Sequence, residues 1–281
     1  MAKSVTKAFF NFLNDIVKTE PTNTSVARKS KNWLNNQIEI LSKNGSFIRI
    51  ASQFNIGFGS FARKTQIRPL DDIDLIIGLN GSNTTFYGSK WDDITVEVNG
   101  DTTDESLLST SDRNPLGWDN SKYSINSNKV KNKLVSALRS VSQYEKSEIH
   151  ARGEAVTLKF KSYDWTFDIV PAFYVLETYQ SNPFYLIPNG KGKWKKTNPK
   201  LEQERVTKAN KNFNNIVLNV IRLVKYWNRR AKMPNITSYV LETMVLDYFD
   251  NANHNKVTSD KTYDWVDIHF RDVLNYISNH I

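Results

Sequence analysis

The chain has 281 residues, which at about 150 residues per domain corresponds to two domains or one large one. Hydrophobic residues make up 39% of it and aromatic residues 12%, so it can build a packed core and is not wholly disordered. It contains no cysteine, and none of its four histidines pair at metal-ligand spacing. Disulfides, zinc–thiolate sites, iron–sulfur clusters and thiol nucleophiles are therefore excluded.

The positive charge is concentrated in one part of the chain. The net charge is +9, and residues 188–232 carry 13 Lys and Arg against two acids. A concentrated basic segment favours an anionic partner, either a nucleic acid or the phosphates of a nucleotide. A solvated lysine-rich surface is the alternative interpretation.

The first 20 residues do not have the pattern of a signal peptide. Their apolar residues follow helical spacing, and Asp15 interrupts them. No apolar run of the chain approaches the length of a membrane span. We therefore expect a cytoplasmic protein that does not bind membranes.

The first half of the chain predicts one long helix, a strand and a polar insertion. The helix covers residues 25–43 and ends at Asn44-Gly45. An extended run leads into a glycine-rich turn, and residues 70–79 (LDDIDLIIGL) alternate as a strand does. Residues 80–127 are polar and rich in turn formers, which predicts an insertion or a hairpin.

In the second half, strands give way to helices. The predicted elements are a helix over 129–143, strands over 154–163 and 164–173, a loop over 181–200, a helix over 201–230, and helices over 238–249 and 266–279. An α+β half is thus followed by a helical half, with the boundary near 175–185.

Asp72 and Asp74 are the strongest chemical signal. Residues i and i+2 of a strand point to the same face, so the two carboxylates lie side by side among apolar neighbours. Like charges this close disfavour joint ionisation unless a cation lies between them, and Mg²⁺ or Mn²⁺ suits such oxygen ligands. Two acids on an edge strand that face water are the alternative.

Two further pieces accompany this pair. Gly59 and Ser60 lie upstream, with 11 residues between Ser60 and Asp72, and a Gly-Ser turn lets backbone N–H groups and a hydroxyl approach phosphate. Asp168 lies downstream in the apolar run FDIVP. Three carboxylates can hold two metal ions about 3.5–4 Å apart, the arrangement used for in-line displacement at phosphorus. Gly57 and Gly59 also match a dinucleotide-binding fingerprint (G-x-G-x-x-A). That motif needs a helix directly after the glycines, and the short distance to the next strand leaves little room for one.

The last third contains a basic ridge and a polar helix start. Arg222, Lys225 and Arg229 are spaced along one flank of a helix, where they either bind a triphosphate or form an ordinary basic flank. Ser238 lies at a helix start and is either a ligand or an N-cap. Tyr239 either stacks on a base or belongs to the core.

The pattern of Gly-Ser followed by Asp-hydrophobic-Asp-hydrophobic resembles the signature of the DNA polymerase β-like nucleotidyltransferase superfamily. Four further stretches are similar to the bacterial CD-NTases, the cGAS/DncV-like enzymes of CBASS antiphage defence. They are GFGSFARKTQIRPLDDIDLIIGL, GEAVTLKFKSYDWTFDIVPAF, YLIPNGKGKWKKTNP and VLNVIRLVKYWN…SYVLE. The resemblance implies an α+β palm with a mixed or antiparallel sheet and a C-terminal helical lobe.

The resemblance also implies a set of site residues. Two Mg²⁺ or Mn²⁺ ions would be held by Asp72, Asp74 and Asp168, the catalytic residues. Gly59 and Ser60 would cradle the triphosphate, Lys225 and Ser238 would add phosphate contacts, and Tyr239 would stack on a nucleobase. Residues 1–178 would form the catalytic lobe and residues 179–281 the nucleotide-binding lobe, with a cleft between them.

In the implied reaction a ribose hydroxyl attacks the α-phosphate of an NTP and pyrophosphate leaves. Repetition of this step within one molecule gives a cyclic di- or trinucleotide second messenger. The expected partners are NTPs, including ATP, with a downstream effector binding the product and not this chain. A monomer is expected, and nucleic acid is a possible but not a required partner. The alternatives are an RNA-end or linear-oligonucleotide nucleotidyltransferase and a non-catalytic nucleic-acid-binding module.

Overall fold

The structure is a computed structural model that describes residues 4–99, 108–109, 122–176, 182–230, 236–254 and 265–280. The chain divides into two compact units, each built from separate stretches of sequence. The helical unit comprises Met1–Ser25, Ser60–Leu70 and Lys200–Ile281, and the sheet unit comprises Val26–Gly59 and Asp71–Pro199.

The sheet unit is built on a seven-stranded sheet. Its strands are β1 (Ile56–Phe58), β2 (Asp72–Leu79), β7 (Glu148–Arg152), β8 (Ala155–Lys159), β9 (Thr166–Val175), β10 (Phe184–Pro188) and β11 (Trp194–Thr197). Five of them follow the order β1-β2-β9-β10-β11, and β8 pairs with both β7 and β9. Helix α2 (Pro21–Lys43) buries Leu34, Ile38 and Leu41, and most of it belongs to this unit.

At the centre of the sheet, β2 and β9 run parallel from Asp72 opposite Thr166 to Leu79 opposite Phe173. Parallel neighbours need a long crossover, and here residues 80–165 supply it. Both strands are apolar through most of their length, as expected of a central pair that is covered on both faces. The sheet therefore brings two stretches that are far apart in sequence into one register.

The crossover contains more structure than a hairpin. Strands β3 (Thr84–Tyr87), β4 (Thr95–Asn99), β5 (Leu108–Ser109) and β6 (Lys122–Ile125) form a second, four-stranded antiparallel sheet. Helix α4 follows at Ser127–Arg139 and is capped by Asn126, whose side chain accepts from the backbone N–H of Asn128 and Lys129. Turn formers dominate residues 80–127, which is why the strands between them escape sequence analysis.

The expected loop over 181–200 contains an antiparallel hairpin instead. Strand β10 pairs with β11 so that Pro188 lies opposite Trp194, and Trp194 is fully buried. Gly190 and Gly192 in the turn have φ of +80° and +96°, a conformation that favours glycine. The loop predicted from the glycines and lysines is therefore correct only for the turn between β10 and β11.

The helical unit is built on one apolar core. Its helices are α1 (Val5–Phe12), the short α3 (Gly59–Arg63, which starts at the last residue of the sheet unit), α5 (Pro199–Asn212, whose first residue also belongs to the sheet unit), α6 (Val217–Arg230), α7 (Ser238–His254) and α8 (Val266–Ser278). A π-helical turn, Leu13–Val17, follows α1. The core includes Leu13, Phe213, Ile221, Phe249 and Val273.

The single helix expected over 201–230 is two helices. Helix α5 ends at Asn212 and α6 begins at Val217. Between them Asn214 and Asn215 have φ of +48° and +64°, which a helix does not allow. Asparagine tolerates this conformation better than most residues, and the apolar stripe continues across the break, so its periodicity hides the break.

The predicted α+β class with a mixed sheet and a C-terminal helical part is confirmed. The expected lobes of residues 1–178 and 179–281 stay a prediction, and residues 177–181 at their boundary lie outside the described residues. Among the helices of the described ranges, none has both the length and the apolar character needed to span a bilayer.

Candidate metal centre and nucleotide site

The predicted carboxylates converge at one end of the β2–β9 pair. Asp74 lies directly opposite Asp168 in the parallel register, and Asp72 precedes Asp74 by two residues on the same face of β2. One oxygen from each of the three carboxylates lies within 4.8 Å of the other two, and all three residues are half-buried. Sheet pairing thus joins residues that are almost a hundred positions apart in the chain.

This cluster has the chemistry of a site for hard divalent cations. Carboxylate oxygens are the ligands that Mg²⁺ and Mn²⁺ prefer, whereas zinc is more often bound through nitrogen or sulfur. Three carboxylates at this separation repel each other unless a cation compensates them. Within the described ranges, it is the one group of at least three His, Asp or Glu side chains whose ligand atoms converge. The residues present therefore fit a metal centre.

Thr157 orients one of the three carboxylates, and sequence analysis does not identify it. It lies on β8 directly opposite Asp168, and its Oγ1 donates a hydrogen bond of 2.7 Å to Asp168 Oδ1. A donor to one carboxylate oxygen fixes the orientation of the group and leaves the second oxygen available. Threonine is common in strands, so nothing in the sequence distinguishes this one.

Gly59 lies in contact with the cluster. Its φ is +67°, and a Cβ at this position would come within 1.7 Å of Asp74 Oδ2. No side chain fits there unless Asp74 moves. The positive φ and the close approach of Asp74 therefore both favour glycine at position 59, and the phosphate contact expected of Gly59 stays a prediction.

Ser60 begins the part of the short helix α3 that belongs to the helical unit. The residue is half-buried. Its carbonyl oxygen accepts a hydrogen bond of 2.9 Å from the backbone N–H of Thr65. That bond closes the segment downstream of Ser60 into a compact turn.

Lys225 has protein partners in this structure. Its side chain is 6% exposed, and Nζ donates to Glu242 Oε1 at 2.9 Å and to the Thr65 carbonyl oxygen at 3.1 Å. The phosphate contact expected of Lys225 stays a prediction. Glu242, which the sequence analysis did not single out, is 4% exposed and is the acid of this ion pair.

The basic ridge of α6 faces the chain downstream of Ser60. Arg222 donates to the carbonyl oxygen of Lys64, Lys225 to that of Thr65 and Arg229 to that of Arg68. Burial lowers the pKa of Arg222 to about 10, which leaves it charged at neutral pH. In this structure the ridge thus holds three backbone carbonyls, a role that sequence analysis did not identify, and its contact with a triphosphate stays a prediction.

Ser238 and Tyr239 form the first turn of α7 and are exposed, Tyr239 by 55%. The Oγ1 of Thr237 accepts a 3.4 Å hydrogen bond from the backbone N–H of Val240, so Thr237 caps the helix. The N-cap alternative for Ser238 is therefore wrong, and so is the core alternative for Tyr239. The Tyr239 hydroxyl donates to Glu202 Oε1 at 3.4 Å, and the charge of Glu202 raises the pKa of Tyr239.

The predicted site residues thus fall into two sets, each within one unit. The sheet unit holds Gly59 and the three carboxylates, and the helical unit holds Ser60, Lys225, Ser238 and Tyr239. Their roles in binding and catalysis stay predictions at this point.

Comparison with known proteins identifies the family. No family model matches the chain. A protein of Bacillus cereus described as a probable cyclic nucleotide synthase is 42% identical over 254 residues, which cover 89% of this chain and 73% of that protein.

Solved structures share the fold. Escherichia coli CdnC, solved with ATP, superposes with a TM-score of 0.62 at 18% identity, covering 97% of this chain and 71% of that one. Escherichia coli DncV, solved with 3′-deoxy GTP, superposes with a TM-score of 0.61 at 11% identity, covering 95% and 76%. The fold is that of the CD-NTases. The chain belongs to the bacterial CD-NTase family and is a nucleotidyltransferase, as its motifs predicted.

Proposed function

We propose that this protein joins NTPs into a cyclic di- or trinucleotide. The convergence of Asp72, Asp74 and Asp168 in a member of this family carries the proposal, because it provides a metal centre suited to transfer at phosphorus. The relative described as a cyclic nucleotide synthase supports the cyclic product. ATP and 3′-deoxy GTP in the related structures support nucleotide substrates.

In this proposal the three aspartates hold two Mg²⁺ or Mn²⁺ ions, and Thr157 holds Asp168 in orientation through its 2.7 Å hydrogen bond. The bound ions would lower the pKa of the attacking ribose hydroxyl and neutralise charge on the leaving pyrophosphate. Thr157 donates to Oδ1 of Asp168, and the other carboxylate oxygen of Asp168 would help to take the proton of the ribose hydroxyl.

The remaining predicted residues bind the nucleotide in this proposal. Ser60 and Ser238 donate to phosphate oxygens, and the backbone at Gly59 approaches the phosphates closely. Lys225 supplies positive charge, and the exposed ring of Tyr239 offers a face on which any nucleobase can stack.

A role in CBASS antiphage signalling is part of the proposal. The product, and not this chain, would bind the downstream effector, and no nucleic acid would be needed for turnover. A cytoplasmic monomer is sufficient for such a role, since substrates and product diffuse.

Pyrophosphate release tests the proposal. The protein is incubated with all four NTPs and Mg²⁺ or Mn²⁺, with and without an RNA primer, and any primer is examined for extension. We expect release without primer and no extended RNA. Release that depends on primer, with RNA extension, would overturn the proposal in favour of an enzyme that acts on RNA ends.

A further inference from the structure

We propose that Glu242 is a positioning residue for nucleotide binding, because it holds the segment Ser60–Leu70, and thereby Ser60, against α6 and α7. This inference rests on the proposed function, since Ser60 is taken there as a phosphate ligand. It concerns residues of the helical unit alone.

Glu242 is the centre of a buried cluster. Its Oε1 accepts from Thr65 Oγ1 and from Lys225 Nζ, both at 2.9 Å. Its Oε2 accepts from Arg63 Nε, also at 2.9 Å. The side chains of Arg63, Lys225 and Glu242 are 9%, 6% and 4% exposed, and Thr65 is fully buried. One carboxylate thus joins two residues of the segment to α6.

The segment depends on side chains for its placement. Of Ser60–Leu70, residues 60–63 form the last part of the short helix α3, and residues 64–70 lie outside helices and strands. Its backbone carbonyls at Lys64, Thr65 and Arg68 accept from the three cations of the α6 ridge. Arg63 also reaches Glu202 on α5, with Nη1 to Oε2 at 3.3 Å. Among these acids Glu242 is the one that is almost completely buried, since Glu202 is 35% exposed.

A buried ion cluster is not needed for stability as such. Apolar side chains of similar volume often stabilise a core as well as a buried ion pair does, because both charges lose their hydration. The cluster contributes geometric specificity, because each charged hydrogen bond fixes a donor at a defined angle and distance. Here the fixed donors are Arg63 and Thr65, which lie three and five residues after Ser60. Glu242 therefore defines where Ser60 lies relative to α6 and α7.

The first arm of the test does not depend on activity. Hydrogen exchange followed by mass spectrometry is compared for the wild type, Glu242→Gln and the matched control Glu204→Gln, whose side chain is exposed on α5. The amides of Thr65 and Arg68, which donate to Ser60 and Val17, report on the segment. We expect Glu242→Gln to speed their exchange about ten- to a hundredfold, as the loss of a charged hydrogen bond implies, while Asp72–Leu79 is unchanged. Unchanged exchange in the segment would overturn the proposal.

The second arm measures kinetics with the NTPs that the wild type incorporates. Glu242→Gln should raise KM about tenfold or more and lower kcat less, because it displaces a ligand without touching the carboxylates. In a Ser60→Ala background the same change should have little further effect, since the two residues act through one contact. The proposal would be overturned if Glu242→Gln lowered kcat at unchanged KM and had its full effect in the Ser60→Ala background as well. Such a result would indicate a purely structural role.

Thr65→Val is the second variant if Glu242→Gln does not fold. It keeps the shape of the side chain and removes one of the bonds to Glu242, so it should shift exchange and KM in the same direction by a smaller factor. No shift in either would count against the proposal. If the wild type forms no product, the proposed function fails, but the exchange arm still decides whether Glu242 holds the segment.

Discussion

Asp72, Asp74 and Asp168 repel one another as long as no cation lies among them, because their oxygens approach within 4.8 Å. A cation that binds the folded state alone raises its stability by mass action. We therefore predict that Mg²⁺ or Mn²⁺ raises the Tm of the wild type and that the rise is lost in Asp74→Asn. Differential scanning calorimetry with and without the metal measures this, and an equal rise in both proteins would contradict the metal site.

The hydrogen bond from Thr157 to Asp168 can be tested by substitution. Thr157→Val keeps the shape of the side chain but removes the donor to Asp168, and loss of a residue that orients a metal ligand costs about ten- to a hundredfold in activity. Thr157→Ser keeps the hydroxyl and should retain most of the activity. Initial rates of pyrophosphate release measure both variants, and equal rates for Val and Ser would show that the hydrogen bond has no role.

The sequence predicts individual site residues unevenly. Asp72 and Asp74 are predictable because a polar pair at i and i+2 interrupts an apolar strand, and Asp168 because it interrupts another. Thr157 and Glu242 are not, because a threonine in a strand and a glutamate in a helix are common on surfaces. Their roles depend on partners 11 and 17 to 179 residues away in the chain, which only the fold brings together.

At the scale of elements, the break between α5 and α6 can be tested. Asn215 has φ of +64°, and its Oδ1 accepts from Asn210 Nδ2 at 3.0 Å. Asn215→Ala should lower the free energy of unfolding by about 1–2 kcal/mol, because alanine is strained in this conformation and loses the bond. Asn215→Gly should cost less, since glycine relieves the strain.

Urea unfolding of both variants measures the difference. If Asn215→Ala were as stable as the wild type, the two helices would not be interrupted in the way the structure shows. Periodicity predicts the buried face of both helices correctly but cannot show the break, because the apolar residues Phe213 and Ile216 in the break continue the stripe. The local signal in the sequence is the adjacent pair Asn214 and Asn215, which adopts positive φ in the structure, and asparagine pairs also occur in ordinary loops.

Over the whole molecule, the positive charge indicates an anionic partner less strongly than the sequence suggests. Several basic residues of the segment 188–232 have acidic partners in the structure: Lys193 with Asp93, Lys195 with Glu154, Arg205 with Asp247 and Asp250, and Lys225 with Glu242. Others hold backbone carbonyls. Part of the local excess is therefore used within the protein, which weakens the argument from charge for a nucleic-acid partner.

The division of the chain into units is also not readable from the sequence. The residues of Ser60–Leu70 lie between two strands of the sheet unit in the chain, yet they pack with the helical unit. The segment contacts that unit through buried hydrogen bonds to Glu242 and Lys225, through a bond from Arg222 to the Lys64 carbonyl oxygen, and through Ile67 in the apolar core, and none of these contacts is local. The composition and order of elements predict the α+β class and the helical part, but not this exchange of a segment.

In the proposed function, the carboxylate cluster catalyses the joining of NTPs into a cyclic nucleotide. The most direct measurement is mass spectrometry of phosphatase-treated reactions of the wild type, Asp72→Asn/Asp74→Asn and the control Asp164→Asn, with four NTPs and Mg²⁺ or Mn²⁺ and no primer. Asp164 is exposed and lies outside the cluster. We predict a phosphatase-resistant cyclic product from the wild type and Asp164→Asn, and at least about a thousandfold less from the double variant, because the metal contribution of several kcal/mol is lost. Equal product from the double variant would rule out the cluster as the catalytic centre, and linear products alone from the wild type would rule out the cyclic product.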